Sequence, residues 1–185
     1  MEIRSTDLET ERCLLRDWTC DDEPRVLDIY SRWEVARWLG ADPKPMEGPE
    51  QAARFVERCN ALNHEDPVAR RWAVERRDDG VVLGTVILVQ LPEPSAESGF
   101  PDGRYEVGWH FHPDSWGHGY ATETARAAIT WGFGHGLEEI FAVVRPDNTA
   151  SLNVCKRLDM REHGRTGAYY GTELELFSTA RADQR

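Results

Sequence analysis

A glycine-rich turn is the stretch of this sequence whose residues are best suited to chemistry. It lies between a predicted strand, Arg104 to Phe111, and a predicted helix that begins near Ala121. Gly117 and Gly119 let a ligand approach the backbone closely, because glycine has no side chain. The first N–H groups of a helix are unpaired and carry a partial positive charge, which favours an anion. The turn therefore predicts a phosphate-binding site.

Two common phosphate-binding turns fit this segment poorly. A P-loop has Lys followed by Ser or Thr after its second glycine, whereas this chain has Tyr120 and Ala121. A dinucleotide-binding turn has a third small residue where Thr122 stands, and an acidic residue at the end of the next strand. Glu138 and Glu139 instead precede that strand. A dinucleotide-binding oxidoreductase is therefore the weaker alternative.

The segment from Trp116 to Glu123 reads W-G-H-G-Y-A-T-E and resembles the pyrophosphate loop of the GNAT superfamily of acetyl-CoA-dependent N-acyltransferases. That loop follows the pattern Q/R-x-x-G-x-G/A, whose last two fixed positions are occupied here by Gly119 and Ala121. Trp116 replaces the usual Gln or Arg, as in the branch of ribosomal-protein N-terminal acetyltransferases (Rim-type). The resemblance implies an N-acetyltransferase that uses acetyl-CoA. The predicted cofactor contacts are His110, Phe111, His112, Trp116, Gly117, His118, Gly119, Tyr120, Ala121, Thr122, Asn148 and Lys156.

Glu106 is the predicted general base, which the reaction needs because a protonated amine is no nucleophile. Along a strand Glu106, Gly108 and His110 share one face, and Gly108 leaves room there for a substrate. A Glu at this position resembles the general base of several GNAT members, acting directly or through water. An ion pair with Arg104 or Arg70 is the structural alternative for Glu106. His110 is the second candidate for the base, and the choice between them or water stays open.

A second segment that resembles the family begins at Asn148 and follows the pattern N-x-x-S-x-x-x-x-x-[KR]. The resemblance implies that Asn148 contacts the pantetheine arm and that Ser151 protonates the departing thiolate. It also implies that Lys156 or Arg157 reaches the 3′-phosphate of the cofactor. Asn148 and Thr149 are equally suited to cap the helix that begins here, and one residue can do both.

Neither a metal site nor a covalent intermediate is predicted. His110, His112 and His118 give only a weak H-x-H spacing, with no accompanying pattern of carboxylates. The cysteines are scattered and form no C-x-x-C pair, which is typical of a reduced protein; they are Cys13, Cys20, Cys59 and Cys155. Because no Cys or Ser occupies a nucleophile motif, we expect direct transfer in a ternary complex.

The elements that must position these residues predict one α/β domain over residues 1–185, with a core of about 11–178. Helical periodicity comes early in the chain, followed by a hairpin across an Asp-Gly turn at 79–80 and then by alternating strands and helices. We expect a central mixed, mostly antiparallel twisted sheet of about six or seven strands, flanked by about four helices. Residues 91–103, rich in Pro, Ser and Gly, predict a mobile excursion beside the active site.

Composition narrows the classes of partner. A net charge of −11 argues against non-specific nucleic-acid binding and is compatible with an amine acceptor, although acidity also favours solubility. No stretch of the sequence approaches the ~18 consecutive apolar residues of a membrane span. Residues 1–8 are too charged for a secretory signal. A cytoplasmic protein is therefore expected. The acceptor is expected to be a protein N-terminus, as the Rim-type likeness implies, or a small amine such as an aminoglycoside, polyamine or amino-acid derivative. A homodimer stays open, and the rival function is an acyl-CoA-binding regulatory or scaffold protein without turnover.

Overall fold

The computed structural model describes residues 6–94 and 103–181, which form one eight-stranded sheet with five α-helices. The strands are β1 (Leu8–Glu9), β2 (Cys13–Arg16), β3 (Arg70–Arg76), β4 (Val82–Gln90), β5 (Tyr105–Phe111), β6 (Glu139–Val144), β7 (Arg161–Thr166) and β8 (Leu174–Ala180). The helices are α1 (Glu23–Tyr30), α2 (Trp33–Ala36), α3 (Pro49–Glu65), α4 (Tyr120–Gly134) and α5 (Thr149–Arg157). Short 3₁₀ turns cover Cys20–Asp22 and Pro113–Ser115.

The strand order is β1-β2-β3-β4-β5-β6-β8-β7, and every neighbouring pair is antiparallel except β5 and β6. β5 pairs with β4 along its whole length, from Tyr105 opposite Gln90 to Phe111 opposite Gly84. β5 and β6 are parallel and share one registered position, Glu106 opposite Phe141. The two strands therefore diverge beyond Glu106, and their facing backbone edges are open to a ligand.

Helices cover both faces of the sheet, because successive residues of each strand point to opposite sides. On one face Trp72 and Val107 pack with Ile129 of α4 in the main core. On the other face Ala73 packs with α1 and α3. Burying a large apolar side chain of this kind stabilises the fold by about 1.5–3 kcal/mol. Gly132 lets α4 approach closely, since a Cβ there would lie 2.7 Å from Ile140 Cδ1.

The predicted fold class is confirmed, while the numbers of strands and helices were too low. The eighth strand is β1, whose two residues are too few to show an alternating pattern. The fifth helix is α2, a single turn of four residues. Of the predicted excursion at 91–103, residues 95–102 lie outside the described part of the chain. No described helix is long and apolar enough to cross a membrane.

Candidate active site

A cavity of about 1050 Å³ opens where β5 and β6 diverge. Its walls are β5 from Glu106 to His110, residues 142–145 at the end of β6, the start of α5, and α3 with the loop before it. Tyr170, from the loop between β7 and β8, also lines the cavity. Typical pockets for small molecules have about 300–1,000 Å³. The space is therefore large enough for the arm of a cofactor and an acceptor together.

Glu106 lies in this cavity with only 5% of its surface exposed. Burial raises the pKa of Glu106 from its usual 4.5 to about 7, and a hydrogen bond from the Tyr170 hydroxyl to Oε1 opposes that rise. Arg70, one of the ion-pair partners considered above, donates instead to three backbone carbonyls. Glu106, Gly108 and His110 all line the cavity, as their shared strand face predicts. Near neutral pH this carboxyl group can accept or release a proton.

Tyr170 is held against Glu106 in a strained backbone conformation. Its φ is 56°, in the left-handed region that a bulky residue rarely adopts. The preceding residue, Tyr169, is 1% exposed and packs in a cluster with Leu174 and Leu176 of β8, which fixes the loop. Burial and the charge of Glu106 raise the pKa of Tyr170 above its usual value, so the phenol keeps its proton. No periodic pattern in the sequence indicates this contact.

His110 is a weaker base than Glu106. Desolvation lowers the pKa of His110 to about 4, and its Nδ1 lies 3.2 Å from the Tyr30 hydroxyl. The imidazole is therefore neutral at pH 7 and holds a proton poorly. A base with a conjugate-acid pKa of about 4 is roughly a thousandfold weaker than one near 7. Between the two candidates, Glu106 has the pKa that suits proton transfer at neutral pH.

The side chains of His112 and Phe111 do not line the cavity. His112 lies between two aspartates, with Nδ1 2.7 Å from Asp114 and Nε2 3.1 Å from Asp28. Arg25 bridges the same two aspartates, so this cluster joins α1 to the turn after β5. Phe111 packs in the core under α4. Within the described residues, no group of three or more His, Cys, Asp or Glu side chains is arranged to hold a metal.

The glycine turn has the backbone conformation that its sequence predicts. Gly117 and Gly119 have φ values of 78° and 83°, which favour glycine, and Gly119 is the N-cap of α4. Trp116 is about half exposed and donates from Nε1 to the Phe111 carbonyl at 2.9 Å, which fastens the turn to β5. Thr122 Oγ1 is buried without a hydrogen-bond partner among the described residues. The N–H groups of the first turn of α4 are available to an anion.

Arg12, the residue before β2, fixes the turn from outside it. Its guanidinium donates to the His118 carbonyl at 2.9 Å and lies 4.6 Å from the centre of the Tyr120 ring. Glu123 accepts from Arg12 Nε at 2.7 Å and from Thr10 Oγ1 at 2.6 Å. The sequence analysis missed Arg12, because more than a hundred residues separate it from the turn. Glu123, the last residue of the matching segment, therefore serves as an anchor.

Asn148 and Ser151 also line the cavity, at the start of α5. Asn148 Oδ1 accepts from the Ser151 N–H at 3.1 Å, so the capping interpretation is confirmed, and the amide NH₂ of Asn148 is not used by that bond. Trp109 Nε1 donates to Ser151 Oγ at 3.3 Å, a contact that the sequence does not predict. Lys156 is exposed in the last turn of α5 and does not line the cavity. Its contact with the cofactor stays a prediction.

Several known proteins that are similar in sequence to this chain are acetyltransferases by name. A family model described as an acetyltransferase (GNAT) domain matches residues 12–161. An uncharacterized N-acetyltransferase, YoaA of Bacillus subtilis (strain 168), is 32% identical over 158 residues, which cover 85% of this chain and 84% of that protein.

Two solved structures share the fold at low sequence identity. Ribosomal-protein-S5-alanine acetyltransferase from Vibrio fischeri superposes with a TM-score of 0.74 at 20% identity, over 98% of this chain and all of that one (100%). The microcin C7 self-immunity acetyltransferase MccE, solved with acetyl-CoA and AMP, superposes with a TM-score of 0.73 at 13% identity, over 92% and 93% of the two chains.

Proposed function

This chain belongs to the GNAT acetyltransferase family, and on that premise we propose that it transfers an acetyl group directly to a primary amine bound beside Glu106. The acetyl donor of the family is acetyl-CoA. The observation that carries the proposal is a buried carboxyl group with a pKa of about 7 in a cavity between two diverging strands. A base near neutral pH is what the deprotonation of an amine requires.

The residues present fit the cofactor. The open edges of β5 and β6 offer backbone groups to the amides of a pantetheine arm, as a sheet edge does to an added strand. The amide NH₂ of Asn148 lies in the same cavity, and the turn at Gly117 and Gly119 suits the pyrophosphate. Acetyl-CoA, when bound, supplies the activated acetyl thioester. We assign its polar end to residues 116–122 and its arm to the gap between the strands.

Glu106 removes the proton that makes the amine unreactive. A lysine-like amine has a pKa of ~10.4 and an α-amine one of ~7.7–8.0, so both arrive largely protonated at pH 7. The ionised carboxylate of Glu106 accepts this proton, directly or by way of a water. Tyr170 holds the carboxylate in place by its hydrogen bond to Oε1. General-base help of this kind contributes typically about 10²–10⁴-fold in rate.

Ser151 is suited to protonate the leaving thiolate. Its Oγ accepts the indole N–H of Trp109, so the hydroxyl proton is free to be donated into the cavity. Because Asn148 caps the backbone N–H of Ser151, the first turn of α5 holds this hydroxyl in a fixed position. Trp109 therefore acts as a positioning residue for Ser151.

Direct transfer is supported by the state of the cysteines. Burial raises the pKa of Cys13 to about 11 and the pKa of Cys59 and Cys155 to about 12. These thiols stay protonated at neutral pH and are poor nucleophiles. Cys20 is exposed, and none of the four lines the cavity as described. A covalent acetyl-enzyme on cysteine has no support from this arrangement.

The experiment that tests the function is a thiol-release assay with acetyl-CoA over N-terminal peptides and small amines. The parent protein should release CoA only when an amine is present, and Glu106→Gln should abolish most of that release while the Michaelis constant for acetyl-CoA is unchanged. A protein that binds acetyl-CoA but acetylates no amine of a broad panel would instead be an acyl-CoA-binding regulatory or scaffold protein.

A further inference from the structure

The wall of the cavity that faces β5 carries an excess of positive charge. It is built by α3 and the loop before it, and its cations are Arg54 and Arg58, with Arg145 at the end of β6. Lys44 also lines this wall, but it is paired with Asp42 at 2.7 Å. Glu57 is the one carboxylate that the described residues of this wall contribute. The whole chain has a net charge of −11, so the wall is opposite in sign to the average of the protein.

Two of these cations are placed where they repel each other. Arg54 and Arg58 are four residues apart on α3, so they lie on the same stripe as Phe55, which also lines the cavity. Like charges at this spacing destabilise a helix, whereas Glu with Arg would stabilise it. No ion pair joins either arginine to a described carboxylate. Glu50 precedes Arg54 by four residues, a spacing that stabilises the helix, but Arg58 has no carboxylate three or four residues away on α3. The position of Arg58 is therefore not explained by the stability of α3.

A third guanidinium, that of Arg71, has one nitrogen without a hydrogen-bond partner among the described residues. Arg71 of β3 is opposite Ile87, which is opposite Gly108, so it shares the sheet face that carries Glu106. Its Nη1 is buried and has no hydrogen-bond partner within the described residues. Burial lowers the pKa of Arg71, as does the charge of Arg58, whereas Cys59, Asp66 and Glu65 oppose that shift. Arg71 is only half-buried, but its unpaired Nη1 is shielded from water, so an anion close to it would stabilise it.

The phosphates of the cofactor do not account for these arginines. The glycine turn follows the carboxyl end of β5, beyond Phe111, whereas Arg71 lies level with Gly108 in the middle of the strand. Arg54 and Arg58 therefore face the part of the cavity that holds the acceptor.

We propose that the acceptor is a primary amine with a carboxylate close to it, the amine lying at Glu106 and the carboxylate at Arg54 and Arg58. The inference rests on the function proposed above, because it places the reacting amine beside Glu106. Polyamines and aminoglycosides, which carry several positive charges and no carboxylate, are then poor acceptors. A peptide with an acidic residue next to its N-terminus and a free acidic amino acid share the required chemistry.

A binding measurement tests this preference without turnover. The protein is saturated with CoA, which cannot donate an acetyl group, and titrated with a peptide that has Glu as its second residue, the matched Gln peptide, free glutamate and spermidine. We expect the Glu peptide or free glutamate to bind about 10-fold more tightly than the Gln peptide or spermidine. A difference of this size is what one charge-assisted hydrogen bond contributes to binding at a partly solvated site. Which of the two acidic ligands binds identifies the source of the acceptor.

Variants assign the preference to the arginines. Arg58→Glu and the double variant R54Q/R58Q should lose the advantage of the acidic ligand, a change of about 10-fold or more, and bind the Gln peptide as the parent does. Arg161→Gln, at an exposed position of β7 outside the cavity, is the matched control and should keep the preference. The melting temperature of each variant without ligand verifies that it is folded.

The outcomes separate this inference from the function on which it rests. Equal affinity for the Glu and Gln peptides, or tighter binding of spermidine, overturns the carboxylate preference even if amines are acetylated. A preference that survives in R54Q/R58Q also overturns it. Selective binding of the acidic ligand with no acetyl transfer from acetyl-CoA instead contradicts the proposed function and leaves the preference established.

Discussion

The folded protein should become less stable as the pH rises from acidic to alkaline, because Glu106 loses its proton, and Glu106→Gln should not show this decrease. Burial raises the pKa of Glu106 from its usual 4.5 to about 7, so the folded state binds this proton more tightly than the unfolded state. The stabilisation from the bound proton is complete below pH 4.5 and is lost as the pH rises to about 7. Gln has no proton to lose, and its carbonyl oxygen can still accept the hydrogen bond of Tyr170.

The size of this effect follows from the two pKa values. At about 1.4 kcal/mol per pH unit, a rise from 4.5 to about 7 corresponds to about 3 kcal/mol of unfolding free energy. Most of it falls between pH 5 and pH 9, although the unfolded carboxyl is already largely ionised at pH 5. Domains of this kind are stable by ~5–15 kcal/mol, so the change is well within measurement.

The assay is urea unfolding of the parent and Glu106→Gln at pH 5 and pH 9. The stability of the variant relative to the parent should rise by roughly 2–3 kcal/mol between the two pH values. All other titrating groups are common to both proteins and cancel in this comparison. Glu162→Gln, which changes an exposed carboxylate on β7, is the matched control and should show no such rise. A difference between parent and Glu106→Gln that is equal at both pH values would refute the assignment of a buried, proton-binding carboxyl.

Three further predictions concern the cofactor and the partner of the base. Saturating acetyl-CoA should raise the melting temperature of the parent by several degrees. Gly119→Val places a β-branched residue at a φ of 83° in the turn, so it should abolish this shift. An unchanged shift in the variant would mean that the turn is misassigned. Asn148→Ala should raise the Michaelis constant for acetyl-CoA, whereas Ser151→Ala should lower turnover; equal losses of cofactor binding would contradict this division. Tyr170→Phe removes the hydrogen bond that lowers the pKa of Glu106, so the acid limb of the pH–rate profile should move to higher pH. A limb that stays in place would show that this bond does not tune the base.

The parts of the site that the sequence predicts are those that local periodicity determines. Glu106, Gly108 and His110 alternate along one strand, and any strand places such residues on one face. The turn around Gly119 is similarly local, because its glycines and the start of α4 are adjacent in the chain. The cap of α5 by Asn148 also lies within a single helical turn.

The remaining parts depend on contacts between distant segments. Tyr170 reaches Glu106 only because the sheet places β8 beside β6, and 64 residues separate the two side chains. The low pKa of His110 depends on the packing of α1 and α3 over β5, which no pattern around His110 indicates. A net charge of −11 likewise says nothing of a cationic wall at Arg54 and Arg58, because net charge averages over the whole surface.

The role of Glu106 as the general base can be measured by the pH dependence of kcat/KM. For the parent acting on one amine acceptor, kcat/KM should rise with pH through an apparent pKa near 7, the value that burial gives Glu106. Glu106→Gln should lack this limb, lose about 10²–10⁴-fold at neutral pH, and recover part of the loss as the amine deprotonates unaided. A variant profile that runs parallel to that of the parent, with less than about a threefold loss against the 10²-fold lower bound, would contradict this role.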